Sequence, residues 1–152
     1  MVDAEVQRNR IIRIIAATRF PFVDQETWSE DYQTIVNDEQ KRFGIKGPSG
    51  VVYPSIVILR GDGNVQELGT VERAEDVSEE RADYWRLLSD STGVGRKYKK
   101  LFIYVPHGLE EKALKILEDE EIEYDGLRGY AVVEGNLKIY PIKTHDTPYD
   151  HR

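Results

Sequence analysis

Val51-Val52-Tyr53-Pro54-Ser55-Ile56-Val57-Ile58-Leu59, the turn Gly61-Asp62-Gly63-Asn64, and Val65-Gln66-Glu67-Leu68-Gly69-Thr70-Val71 read together as an antiparallel hairpin. Both runs are rich in β-branched residues, and Asp-Gly supplies the positive φ of a tight hairpin turn. With Asp62-Gly63 at the turn centre, Arg60 faces Val65 and Ser55 faces Thr70. Side chains alternate along a strand, which puts Thr70 and Glu72 on one face. Ser55, Thr70 and Glu72 thus form a small polar group on an otherwise apolar hairpin.

Working outward, residues 3–18 read as a helix, with Val6, Ile11, Ile14 and Ile15 near helical spacing and Ile12 widening the stripe. Phe20-Pro21 ends it, because the residue before proline is pushed out of the α region. Residues 24–31 admit a short helix capped by Asp24 or a loop, and residues 32–36 follow as a short strand. Residues 44–50, with Gly47-Pro48-Ser49-Gly50, are turn chemistry.

Beyond the hairpin, Asp76 or Ser78 caps a helix running to Ser89 on Val77, Ala82, Trp85 and Leu88. Residues 101–105 form a buried strand and residues 108–121 an amphipathic helix. Residues 127–133 and 137–142 close as a hairpin around Glu134-Gly135-Asn136. The expectation is one domain over residues 1–142 and a flexible tail over 143–152. Its fold class is α/β in the broad, α+β sense, a mixed central sheet flanked by helices.

The composition limits the functions open to this chain. At 152 residues it suits one substantial core, and 39% hydrophobic with 32% charged residues describes a folded, highly charged globule. No apolar run approaches the roughly 20 residues of a membrane-spanning helix, so no membrane partner is expected. The acidic start, Met1-Val2-Asp3-Ala4-Glu5, is unlike a secretory signal, and a cytoplasmic location is expected. Without cysteine there is no disulfide and no thiolate nucleophile. A net charge of -7 opposes broad nucleic-acid binding, which depends on neutralising phosphates with Lys and Arg. The dense basic stretch Arg96-Lys97-Tyr98-Lys99-Lys100 reads more simply as a solvated loop before a strand.

The order helix, three-stranded meander, helix, strand resembles the αβββαβ core of the PD-(D/E)XK, or restriction-endonuclease-like, superfamily. The segments that carry the resemblance are Tyr53-Pro54-Ser55-Ile56-Val57-Ile58 and Gly69-Thr70-Val71-Glu72, with Tyr104-Val105-Pro106-His107-Gly108 and Gly126-Leu127-Arg128 similar to small prokaryotic members. The resemblance implies that Ser55 stands at the metal-binding Asp position, Thr70 at the second acid, and Glu72 at the Lys-or-Glu position. Two acids are therefore lost from the catalytic motif. Active members use them to hold Mg²⁺, which polarises the phosphate and activates water.

Glu72, with Glu5 from the first helix, would hold a metal only weakly. The expected function is a nuclease-fold protein with a degraded site, acting as a binding or structural module without a cofactor. The alternative is a Mg²⁺-dependent nuclease using a rearranged site that includes Glu72. A homo-oligomer is one partner this reading allows, and nucleic acid is another that the net charge does not support. Two further places hold weaker signals: His107, at a strand end before a helix, and the tail with His145-Asp146 and Asp150-His151.

Overall fold

The structure, a computed structural model, describes residues 4–19, 32–47, 50–63, 65–90 and 100–144. The first helix, α1, spans Ala4–Arg19. Strand β1 (Gln33–Val36) follows, then a two-stranded ribbon of β2 (Ile45–Gly47) and β3 (Gly50–Val52), then β4 (Ile56–Leu59) and β5 (Val65–Val71). Helix α2 (Ala82–Asp90) leads to β6 (Lys100–Pro106), and α3 (Glu110–Asp119) to the closing hairpin of β7 (Gly126–Val133) and β8 (Asn136–Thr144).

Six strands form one mixed sheet in the order β1-β4-β5-β6-β7-β8. The β1-β4-β5 meander is antiparallel, β5-β6-β7 run parallel, and β8 returns antiparallel. Two consecutive parallel crossovers of one hand place their helices on the same face of a sheet. Accordingly, Trp85 and Leu88 of α2 and Ala113, Ile116 and Leu117 of α3 share a core with Val57, Leu68, Ile103 and Leu127. On the opposite face Ile11, Ile12, Ile15 and Ala16 of α1 pack on Ile56, Ile58, Val71, Phe102 and Tyr104. The result is a three-layer mixed sheet flanked by helices. Each fully buried aliphatic or aromatic side chain contributes roughly 1.5–3 kcal/mol.

Several local expectations need correction. Residues 51–59 are not one strand. Pro54 lacks an N–H, and at Tyr53-Pro54-Ser55 the chain leaves the ribbon with β2 to join the main sheet. The expected turn over 44–50 therefore contains strand β2. The hairpin register holds at Ile56↔Gly69, Val57↔Leu68 and Ile58↔Glu67, but a bulge then pairs Leu59, not Arg60, with Val65.

Val6 of the first helix is exposed rather than buried. The helix ending near Ser89 is preceded by two 3-10 turns, Ala74–Asp76 and Glu79–Arg81, and Ser78 makes no side-chain cap. Strand β8 runs from Asn136 to Thr144, two residues beyond the expected strand end at 142. The ambiguous segment 24–31, most of the basic stretch 96–100 and the histidines of the tail lie outside the described residues.

Candidate functional site

Ser55 is set in place from both sides. The side-chain amide of Asn37 donates to Pro54 O at 2.7 Å, and the Asn37 N–H donates to Ser55 O at 2.9 Å. Ser55 Oγ then accepts the Val71 N–H at 2.9 Å, which ties the start of β4 to the end of β5. Next to it the Thr70 hydroxyl donates to Glu72 Oε2 at 2.9 Å, so Thr70 and Glu72 do share a face. Alternation along the hairpin thus brings Ser55, Thr70 and Glu72 together, and all three are buried.

The surroundings of Glu72 determine what this group can do. Arg81 donates through Nε at 3.1 Å and through its terminal nitrogen at 2.8 Å to Oε1, while the Trp85 indole N–H donates to Oε2 at 2.7 Å. The main chain of Glu72 is held as well, its N–H by Tyr104 O and its carbonyl by the Tyr130 hydroxyl. Burial disfavours the Arg81 charge, but the adjacent Glu72 carboxylate outweighs this and raises the guanidinium above its ordinary value. Arg81 also stacks on the Tyr84 ring at 3.9 Å, and burial, with Glu72 beside it, pushes the Tyr84 phenol up to about 12.

A divalent cation of the Mg²⁺ type needs several oxygens with lone pairs to spare. Here the Glu72 oxygens accept four hydrogen bonds, and its charge is met by one half-buried guanidinium. Glu5 is not drawn to this group. It lies on α1, which covers the other face, and pairs with Arg8 at 3.1 Å and Arg73 at 3.6 Å. Among the described residues, no group of three or more His, Asp or Glu side chains could hold a metal ion.

A second polar cluster surrounds His107. Its Nδ1 lies 2.5 Å from Glu110 Oε2, and its ring stacks on Tyr140 with centroids 3.9 Å apart. The other Glu110 oxygen accepts the Gly108 N–H at 2.6 Å. Gly129 makes room for this buried carboxylate: a Cβ there would stand 2.0 Å from Glu110 Oε2. Burial works against the Glu110 charge, yet the His107 hydrogen bond and backbone N–H groups lower its carboxyl below the ordinary value. The sequence signal for this pair is the spacing His107-Gly108-Leu109-Glu110 across a helix start, which fits an i, i+3 contact. Arg81 and Trp85, by contrast, reach Glu72 only through the crossover, and no spacing rule exposes them.

No family model matches this chain, and neither the curated proteins nor the solved structures include a match.

Proposed function

We propose that this chain is a nuclease-fold protein whose catalytic position serves as a polar structural core, leaving a non-catalytic binding or structural module. The observation that carries this reading is the Glu72 carboxylate, fully buried and held by Arg81, Trp85 and Thr70. The element order supports it: a helix, an antiparallel meander, a crossover helix and a parallel strand resemble the PD-(D/E)XK core. Ser55 and Thr70 stand where that resemblance expects acids, and each hydroxyl is engaged in holding the fold. A cytoplasmic module that works through its surface, self-association included, fits the charge of -7 better than one that tracks nucleic acid.

The test is cleavage of plasmid and oligonucleotide substrates with Mg²⁺ or Mn²⁺. The expected result is no cleavage above background. Activity that EDTA removes and that falls in a folded Glu72→Gln variant would overturn this reading in favour of a metal-dependent nuclease with a rearranged site.

A further inference from the structure

A groove of about 430 Å³ opens at the carboxyl ends of β5 and β6, away from the Glu72 carboxylate network. Gln7 and Arg8 of α1 form one side, Arg73 and Glu75 follow β5, and His107 and Tyr130 form the other side. Crevices at the carboxyl ends of parallel strands are common ligand sites, because the crossovers leave loops and helix ends around them.

His107 is positioned here more firmly than a surface histidine needs to be. The buried Glu110 carboxylate takes Nδ1, Tyr140 fixes the ring plane, and the His107 N–H donates to Tyr130 O at 2.7 Å. With Nδ1 engaged by the carboxylate, Nε2 is the ring nitrogen that can meet a ligand in the groove His107 lines. Glycine at 129 is what admits Glu110 to this position.

Arg73 is held in a comparable way. Its Nε and one terminal nitrogen grip Asp76 at 2.9 and 3.2 Å. The other terminal nitrogen meets Glu5 and Glu75 only at 3.6 and 3.7 Å, beyond hydrogen-bond length. Those two carboxylates are well exposed, and such loose surface pairs exchange readily.

We propose that this groove binds a phosphoryl group, with the open Arg73 nitrogen donating to it and His107 Nε2 as its second contact. A phosphoryl dianion displaces Glu75 and the long Glu5 contact from Arg73, while Glu5 keeps its 3.1 Å bond to Arg8, because it brings two charges and acceptor oxygens to a pre-oriented guanidinium. The net charge of -7 repels a polyanion, so the ligand is small: free phosphate or a phosphomonoester.

The experiment follows the ring resonances of the histidines in the intact ¹⁵N-labelled protein. The chain has three histidines, and His107→Gln assigns the relevant signal. Inorganic phosphate, phenyl phosphate and a single-stranded oligonucleotide without terminal phosphate are titrated separately. A saturable shift of the His107 ring with phosphate, with phenyl phosphate or with both, weakened about tenfold or more in Arg73→Gln, supports the proposal. Response to phosphate alone assigns the site to the free ion, and response to phenyl phosphate assigns it to a monoester.

Calorimetric titration of His107→Gln provides a second readout should Arg73→Gln fail to fold, with loss of phosphate heat expected. No shift, a shift that stays linear to about 20 mM, or unchanged phosphate binding in either variant overturns the proposal. So does tighter binding of the oligonucleotide than of phosphate, which would make this a nucleic-acid surface.

Discussion

Trp85 donates its indole N–H to Glu72 Oε2 at 2.7 Å, and that bond fastens the crossover helix α2 to the end of β5. Glu72 is thereby the hub of a buried network that also includes Arg81 and Thr70. Arg81 keeps about a quarter of its side chain exposed, so removing the carboxylate costs chiefly the buried donors it leaves unpaired, Trp85 among them, about 1–3 kcal/mol. Glu72→Ala is expected to lose stability on that scale in urea unfolding followed by Trp fluorescence. Arg81→Met should cost much less in a Glu72→Gln background than in the wild type, because the two changes remove the same pair. Additive effects would mean that the Glu72–Arg81 contact contributes little to the fold.

Ser55 makes a sharper distinction between a relic of catalysis and a structural group. Its Oγ accepts the buried Val71 N–H. Ser55→Ala leaves that donor without an acceptor, at a cost of about 1–3 kcal/mol. Amide exchange at Val71 should accelerate with the loss. An unaltered Val71 amide in Ser55→Ala would show that the hydroxyl has no such role.

How much of this was legible beforehand depends on the range over which each cause acts. The hairpin and the shared face of Thr70 and Glu72 follow from turn chemistry and the two-residue period of a strand, both local properties. The bulge after Ile58 and the break at Pro54 are also local, but they depend on which neighbour each strand segment pairs with. The place of Glu72 beside Thr70 follows from local alternation, whereas its partners Arg81 and Trp85 lie across a crossover that must fold before they meet it. His107 was visible as a strand-end residue. Glu110 and Gly129, which give it its setting, come from two other elements.

Gly129 and Glu110 should behave as one unit. A methyl group at 129 would overlap Glu110 Oε2, whereas Glu110→Ala removes the Oε2, Cδ and Cγ atoms it would meet. Gly129→Ala is therefore expected to destabilise the wild type by about 2 kcal/mol and to be better tolerated beside Glu110→Ala, with a coupling of roughly 0.5–3 kcal/mol. Chemical denaturation of the four proteins measures it. Equal penalties in both backgrounds would place the strain elsewhere on β7.

Glu110 also sets an acid-side expectation. Its folded-state carboxyl lies below the ordinary 4.5, held there against burial by His107 and backbone N–H groups. A depressed acid contributes stability that is fully present above its unfolded value and is lost as pH falls through the folded one. The stability difference between wild type and Glu110→Gln should therefore shrink as pH drops below about 4.5 and stay constant just above it. A difference that widens on acidification would contradict the His107–Glu110 pairing.

The alkaline side is governed by tyrosines. Burial, reinforced by the nearby Glu72 carboxylate, pushes both Tyr84 and Tyr130 up to about 12 from the ordinary 10.0. Phenols raised in this way favour the folded state fully below pH 10, and that contribution is lost as pH rises from 10 towards 12, because the unfolded chain ionises first. In a spectrophotometric titration of the nine tyrosines, these two and Tyr124, which burial also pushes up to about 12, should ionise late and together with unfolding. Tyr130→Phe removes the hydroxyl that donates to Glu72 O at 2.5 Å, so it should lower stability at neutral pH and simplify the late phase. A Tyr130→Phe protein whose late phase keeps its full amplitude, with no loss of stability at pH 7, would show that this hydroxyl is neither buried nor bonded to the end of β5.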